Sequence, residues 1–139
     1  MKSIFAWGES LFMLTPGKVL NELTKMFAGF APVWDSPENC FLNDDGSFTY
    51  HGLFSEFGVY VRDNFGGMEE RKREELFDFI ELCVSDVGRF DEGLDKAVCT
   101  CFLENLSNES LSPEFRKYMG RKSLEFFNVW DYSERRAAT

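Results

Sequence analysis

Between residues 70 and 88 one set of apolar positions falls at Leu76, Phe77, Ile80, Cys83, Val84 and Val87. Steps of three and four place them on one side of an α-helix. The same period recurs along most of the chain. At Thr15-Pro16 a capping hydroxyl precedes a proline, whose missing N–H costs nothing in a first helical turn. A helix is therefore predicted from there through Val19, Leu20, Leu23, Met26 and Phe27 to Phe30. Residues 31–46 carry Pro32, Pro37 and the turn cluster NDDG, and read as a loop. Ser47 or Asp45 then opens a second helix, with Tyr50, Leu53, Phe54, Phe57, Val61 and Phe65 on its apolar face and Gly66-Gly67 at its end. The third helix holds Glu69 and Glu70 in its first turn, where the helix dipole favours acids, and stops at Gly88. Asp91 starts a fourth, with Leu94, Val98, Cys101, Phe102 and Leu106 inward, and it frays in the polar run 107–110. Ser112-Pro113 opens a fifth through Phe115, Tyr118 and Met119; Gly120 bends or splits it before Leu124, Phe126, Phe127 and Trp130.

No stretch sustains the period-two alternation of a strand. The predicted fold class is all-α: five to six helices, packed as a bundle or as stacked antiparallel hairpins. The 139 residues fit one domain, with 1–14 left without an assigned element and 133–139 as a loose tail. Composition strengthens this picture. Sixteen Phe, four Tyr and three Trp belong to a chain that collapses, and the four Pro all sit at breaks in the apolar pattern.

The N-terminal MKSIFAWGESLFML has the look of a secretion signal, but Glu9 interrupts it. A signal peptide needs an unbroken apolar centre of roughly 7–15 residues. No window reaches the roughly 18 uncharged apolar residues of a membrane-spanning helix. A cytoplasmic protein without a membrane partner is expected.

Three stretches invite chemistry. In AVCTCFLENL, Cys99 and Cys101 stand two positions apart, so on a regular helix their side chains diverge by roughly 200° and cannot grip one zinc ion. Cys40 lies in the predicted loop and Cys83 on the core face of another helix. Bystander or structural thiols are expected, and neither a metal nor another cofactor. His51 is the sole histidine. It could do acid-base work with Glu56 or Asp45, but Ser47 and Ser55, the serines nearest to it, lie in no recognisable nucleophile frame. A local hydrogen bond is the simpler role, and no enzymatic activity is expected. Aligning Gly46 of NDDGSF with the glycine of a calcium loop puts Phe41 at the first ligand position and Gly52 at the last, so that motif fails at both ends.

Charge says more. The chain carries 24 acids against 15 bases, a net charge of −9. Such a surface repels nucleic-acid phosphates and favours a basic protein partner. The excess is central: eight acids against Arg89 alone in 74–95, six against Arg62 in 35–63, but six bases against three acids in 116–136. On the third helix Glu74, Asp78 and Glu81 fall in one strip opposite Ile80 and Cys83, facing solvent. A docking set of Asp44, Asp45, Glu74, Asp78, Glu81, Asp91, Glu92 and Asp95 follows.

The stretches DDGSFTYHGLFSEFGVY, LFDFIELCVSD, AVCTCFLENL and LSPEFR, over residues 44 to about 118, resemble a family of small all-helical bacterial immunity proteins. These are associated with contact-dependent and polymorphic toxin systems. The matching features are His51 with Phe54 after a polar turn, the acidic apolar helix 74–84, and Phe102-Leu103-Glu104-Asn105-Leu106. The resemblance implies an antidote that binds one cognate toxin, many of which act on nucleic acids through basic clefts. On the residues themselves FLENL serves the fold, with Phe102 and Leu106 in the core. The alternatives are a helical adaptor or scaffold subunit, which would dock through apolar rather than acidic surface, and a DNA-mimicking inhibitor.

Overall fold

A computed structural model describes residues 15–85 and 93–131. Among them the fold is all-α, with seven helices and no strand. Helix α1, Pro16–Met26, is capped by Thr15, whose hydroxyl oxygen accepts from the Lys18 N–H at 3.2 Å. It ends four residues earlier than the periodicity predicts. Phe27 leaves the helical conformation (φ −132°, ψ 90°) and turns its ring into the core. A second short helix, α2, Phe30–Trp34, then forms where a loop is predicted, with Pro32 near its start.

Helix α3 spans Tyr50–Asn64. Its cap is Thr49, whose Oγ1 accepts from the Gly52 N–H at 3.1 Å, rather than Ser47 or Asp45. Those two residues instead close the preceding turn on each other. After a 3₁₀ turn at Phe65–Gly67 comes α4, Glu70–Val84. The predicted boundaries at Gly88 and Asp91 lie outside the described residues, as do the expectations for 1–14 and 133–139. Helix α5 runs over 94–106 without a break: α-helical at Leu94–Ala97, a wider π-type turn over Val98–Leu103, and α-helical again at Glu104–Leu106. Gly120 separates α6, Ser112–Tyr118, from α7, Arg121–Trp130.

Nine phenylalanines, at 30, 54, 57, 65, 77, 79, 102, 115 and 127, are fully buried. The rings of Phe30, Phe54, Phe57, Phe65, Phe77, Phe102 and Phe115 touch in a chain across the molecule. Phe30 meets Phe57 edge-on at 5.0 Å, Phe57 stacks on Phe102 at 5.6 Å, and Phe65 meets Phe115 at 4.7 Å. Phe77 links the halves, at 6.4 Å from Phe102 and 6.1 Å from Phe65. Each such pair adds about 0.5–1.5 kcal/mol beyond the area it buries.

Helix α4 ties this core to the ends of its neighbours. Lys72 Nζ donates to the Met26 carbonyl at 2.8 Å, at the C-terminus of α1, and lies over the Phe27 ring. Arg73 donates to the Phe65 carbonyl at 2.8 and 3.2 Å, just past α3, with its guanidinium 4.3 Å from the Phe65 ring centroid. Cations at two helix C-termini meet the negative end of each dipole.

Candidate functional site

Helix α4 carries the predicted acidic strip, and the strip is shorter than its spacing implies. Glu74 and Asp78 are exposed and meet no Lys or Arg among the described residues. Glu81 does not stand with them. Its Oε2 accepts from the Lys122 N–H at 2.9 Å, and its Oε1 from the N–H and hydroxyl of Ser123, both at 2.8 Å. A half-buried carboxylate thus caps the N-terminus of α7, and Glu81 belongs to the scaffold rather than to a solvent-facing row. The reason is Gly120: without a Cβ, its backbone leaves room for the Glu81 carboxyl, with which a Cβ would overlap.

The other predicted residues are dispersed. Asp44 is exposed at the turn before α3. Asp45 accepts from the Ser47 hydroxyl and N–H at 2.6 and 2.9 Å, and these bonds, the hydroxyl's foremost, hold its carboxyl below the usual range. Asp95 is half-buried in the first turn of α5 and accepts from the Lys96 N–H. Asp91 and Glu92 lie outside the described residues. Among the described residues of the set, Glu81 and Asp45 are engaged by their own neighbours, while Glu74, Asp78 and Asp44 stay exposed.

A different acidic feature comes from the segment read as a loop. Pro32, Val33, Ser36, Glu38 and Asn39 face Glu56 of α3 across an open groove of about 500 Å³. Asn39 holds its wall: the buried side-chain amide donates to the Trp34 carbonyl at 2.8 Å and accepts from the Phe41 N–H at 3.0 Å. Trp34 anchors that wall from beneath, against Phe48. Phe41, exposed, lies over Gly52 on the same helix as Glu56, and Val33 is exposed beside the groove. Neither Glu38 nor Glu56 meets a Lys or Arg among the described residues. Counting charges along 35–63 pointed to this region. The groove itself was invisible because nothing in the apolar period marks the five-residue helix α2.

The cysteines divide by environment. Cys83 and Cys99 are buried, and burial raises both thiols, Cys99 to about 12 with help from the Asp95 charge. Cys40 is exposed. The period predicts Cys101 inward, and it packs half-buried against the core; Cys99, which the period does not place inward, is buried as well. Its Sγ lies 3.3 Å from His51 Nδ1 on α3. Fifty residues separate the two, so no local motif announces the pair.

Among the described residues no group of three or more His, Cys, Asp or Glu is placed to hold a metal ion, and no helix is long and apolar enough to cross a membrane. The family described as Domain of unknown function (DUF7674) matches residues 20–134. No curated protein and no solved structure matches the chain.

Proposed function

The chain belongs to the DUF7674 family, whose description assigns no activity, and we propose from its surface that it is an immunity-type protein, a non-enzymatic inhibitor that docks onto a basic protein toxin. The docking side is formed by residues 32–49 and the first turns of α3. The observation that carries this reading is the groove between α2, its following segment and Glu56, lined by apolar Pro32 and Val33 together with the acidic Glu38 and Glu56. A Lys or Arg side chain fits such a groove, its stem on the apolar wall and its charge at the carboxylates. Exposed Phe41 supplies an aromatic anchor beside it, and Asp44 extends the negative potential. Against a nucleic-acid-acting toxin, these carboxylates would take the place of phosphates in the basic cleft. The likeness of residues 44–118 to immunity proteins supports the same reading.

The test begins with the gene immediately upstream, where a large secreted protein with a variable C-terminal domain is expected. That domain, purified, is titrated with this protein while its activity is followed. One-to-one inhibition is expected, with affinity lost about 100-fold in Glu38→Lys/Glu56→Lys. Glu74→Lys/Asp78→Lys serves as the comparison face. Metabolic genes on both sides, or binding that neither double variant changes, would sink the reading.

The adaptor alternative has one observation of its own: Phe126 and Val129 are exposed a turn apart on α7. Loss of binding in Phe126→Asp alone would favour it.

A further inference from the structure

We propose that Cys101 and His51 form a nucleophilic thiol–imidazole pair, which makes Cys101 the site at which low-molecular-weight disulfides modify this protein. Three observations converge on it. The Sγ–Nδ1 distance of 3.3 Å is hydrogen-bonding range for sulfur, and it links two helices rather than neighbours in sequence. His51 is exposed in the first turn of α3 and Cys101 is half-buried, so the pair lies at the protein surface rather than in the core. The π-type turn over Val98–Leu103 aims Cys101 at α3, and Gly58 allows the close approach: a Cβ there would lie 3.2 Å from the Cys101 carbonyl oxygen. Thr100 Oγ1, 3.6 Å from Sγ, completes the polar surroundings of the thiol.

The other three cysteines lack this arrangement. Cys83 and Cys99 are buried and held protonated. Cys40 is exposed, and the ring of His51, the only histidine of the chain, pairs with Cys101 instead.

The chemistry is thiol–disulfide exchange. His51 Nδ1 takes the Cys101 proton as Sγ attacks one sulfur of the reagent. The reagent's S–S bond breaks and a Cys101–S–S–R bond forms. The departing thiolate collects the proton from the imidazolium. Cys101 is oxidised by one disulfide equivalent and the reagent's second sulfur is reduced to a thiol.

The test uses the full chain, fully reduced, with limiting oxidised glutathione and peptide mass mapping of the adducts over time. Cys101 should be modified first, ahead of Cys40. His51→Gln should slow Cys101 at least about tenfold and leave the Cys40 rate unchanged. Cys40→Ser should react at Cys101 as the parent does, which separates the two thiols without touching either helix. Faster modification of Cys40 than of Cys101, or a Cys101 rate indifferent to His51→Gln, overturns the proposal.

Discussion

Glu81 and Gly120 act as one unit. Three donors converge on a single carboxylate that fits only because residue 120 has no side chain. Glu81→Ala leaves the first turn of α7 without its cap and should cost about 2 kcal/mol by chemical denaturation. Gly120→Ala displaces the same carboxylate and should cost a similar amount. Because both changes remove the same bonds, the double variant should lose much less than the sum of the two, and strict additivity would refute the coupling. The buried thiols make a second prediction. Above the usual thiol range the unfolded chain gives up the protons of Cys83 and Cys99 while the folded one keeps them, so raising the pH favours unfolding. The denaturation midpoint should fall from pH 8 to pH 10.5, less steeply in Cys99→Ala. Spacing alone made Glu81 a surface acid, because a helical period records which side of a helix a residue occupies and not whether another helix end arrives there. Cys83, by contrast, was legible as core from the face it shares with Ile80 and Val84.

Among the elements, those with long apolar faces were readable and those set by single residues were not. Helices α3 and α4 form where Phe54, Phe57, Val61 and Leu76, Phe77, Ile80 predicted them. The break at Phe27 depends on one backbone rotation that no spacing encodes. The wide turn in α5 interrupts a regular period, yet Leu94, Val98, Phe102 and Leu106 are buried as that period predicts; what it did not show is that Cys99 is buried as well, beside a half-buried Cys101. Helices α6 and α7 are joined by a clasp that also lies beyond periodicity. Buried Asp131 accepts from Arg116 Nε and Nη2 at 3.1 and 2.9 Å and from the Asn108 N–H at 2.8 Å, while Arg116 Nη1 donates to Asn128 Oδ1. Asn108 takes the left-handed conformation, φ +59°, and its amide donates to the Trp130 carbonyl. Asp131→Ala removes the carboxylate from a guanidinium whose side chain is only 16% exposed and from the Asn108 N–H. It should cost about 3–5 kcal/mol, measured by urea titration, and more than Glu81→Ala.

For the whole molecule, the net charge of −9 overstated one acidic face and concealed another. Glu81 and Asp131 are spent inside, Glu75 sits 3.8 Å from Lys72, and the groove keeps Glu38 and Glu56 open. If docking runs through that groove, the association rate with a basic partner should fall about tenfold between 20 and 200 mM salt while dissociation barely changes, as stopped-flow mixing would show. An unchanged association rate would remove electrostatic steering from the mechanism. The grips of α4 carry a different implication. Aromatic rings pack without regard to which way a chain runs, and a core of nine phenylalanines would tolerate neighbours threaded in the opposite sense. Lys72 and Arg73 can donate only to carbonyl ends, and Glu81 can accept only from an amide end. A topology with α1, α3 or α7 reversed would bring like sign to like sign, so these three side chains give an orientation-blind core its single sense of threading.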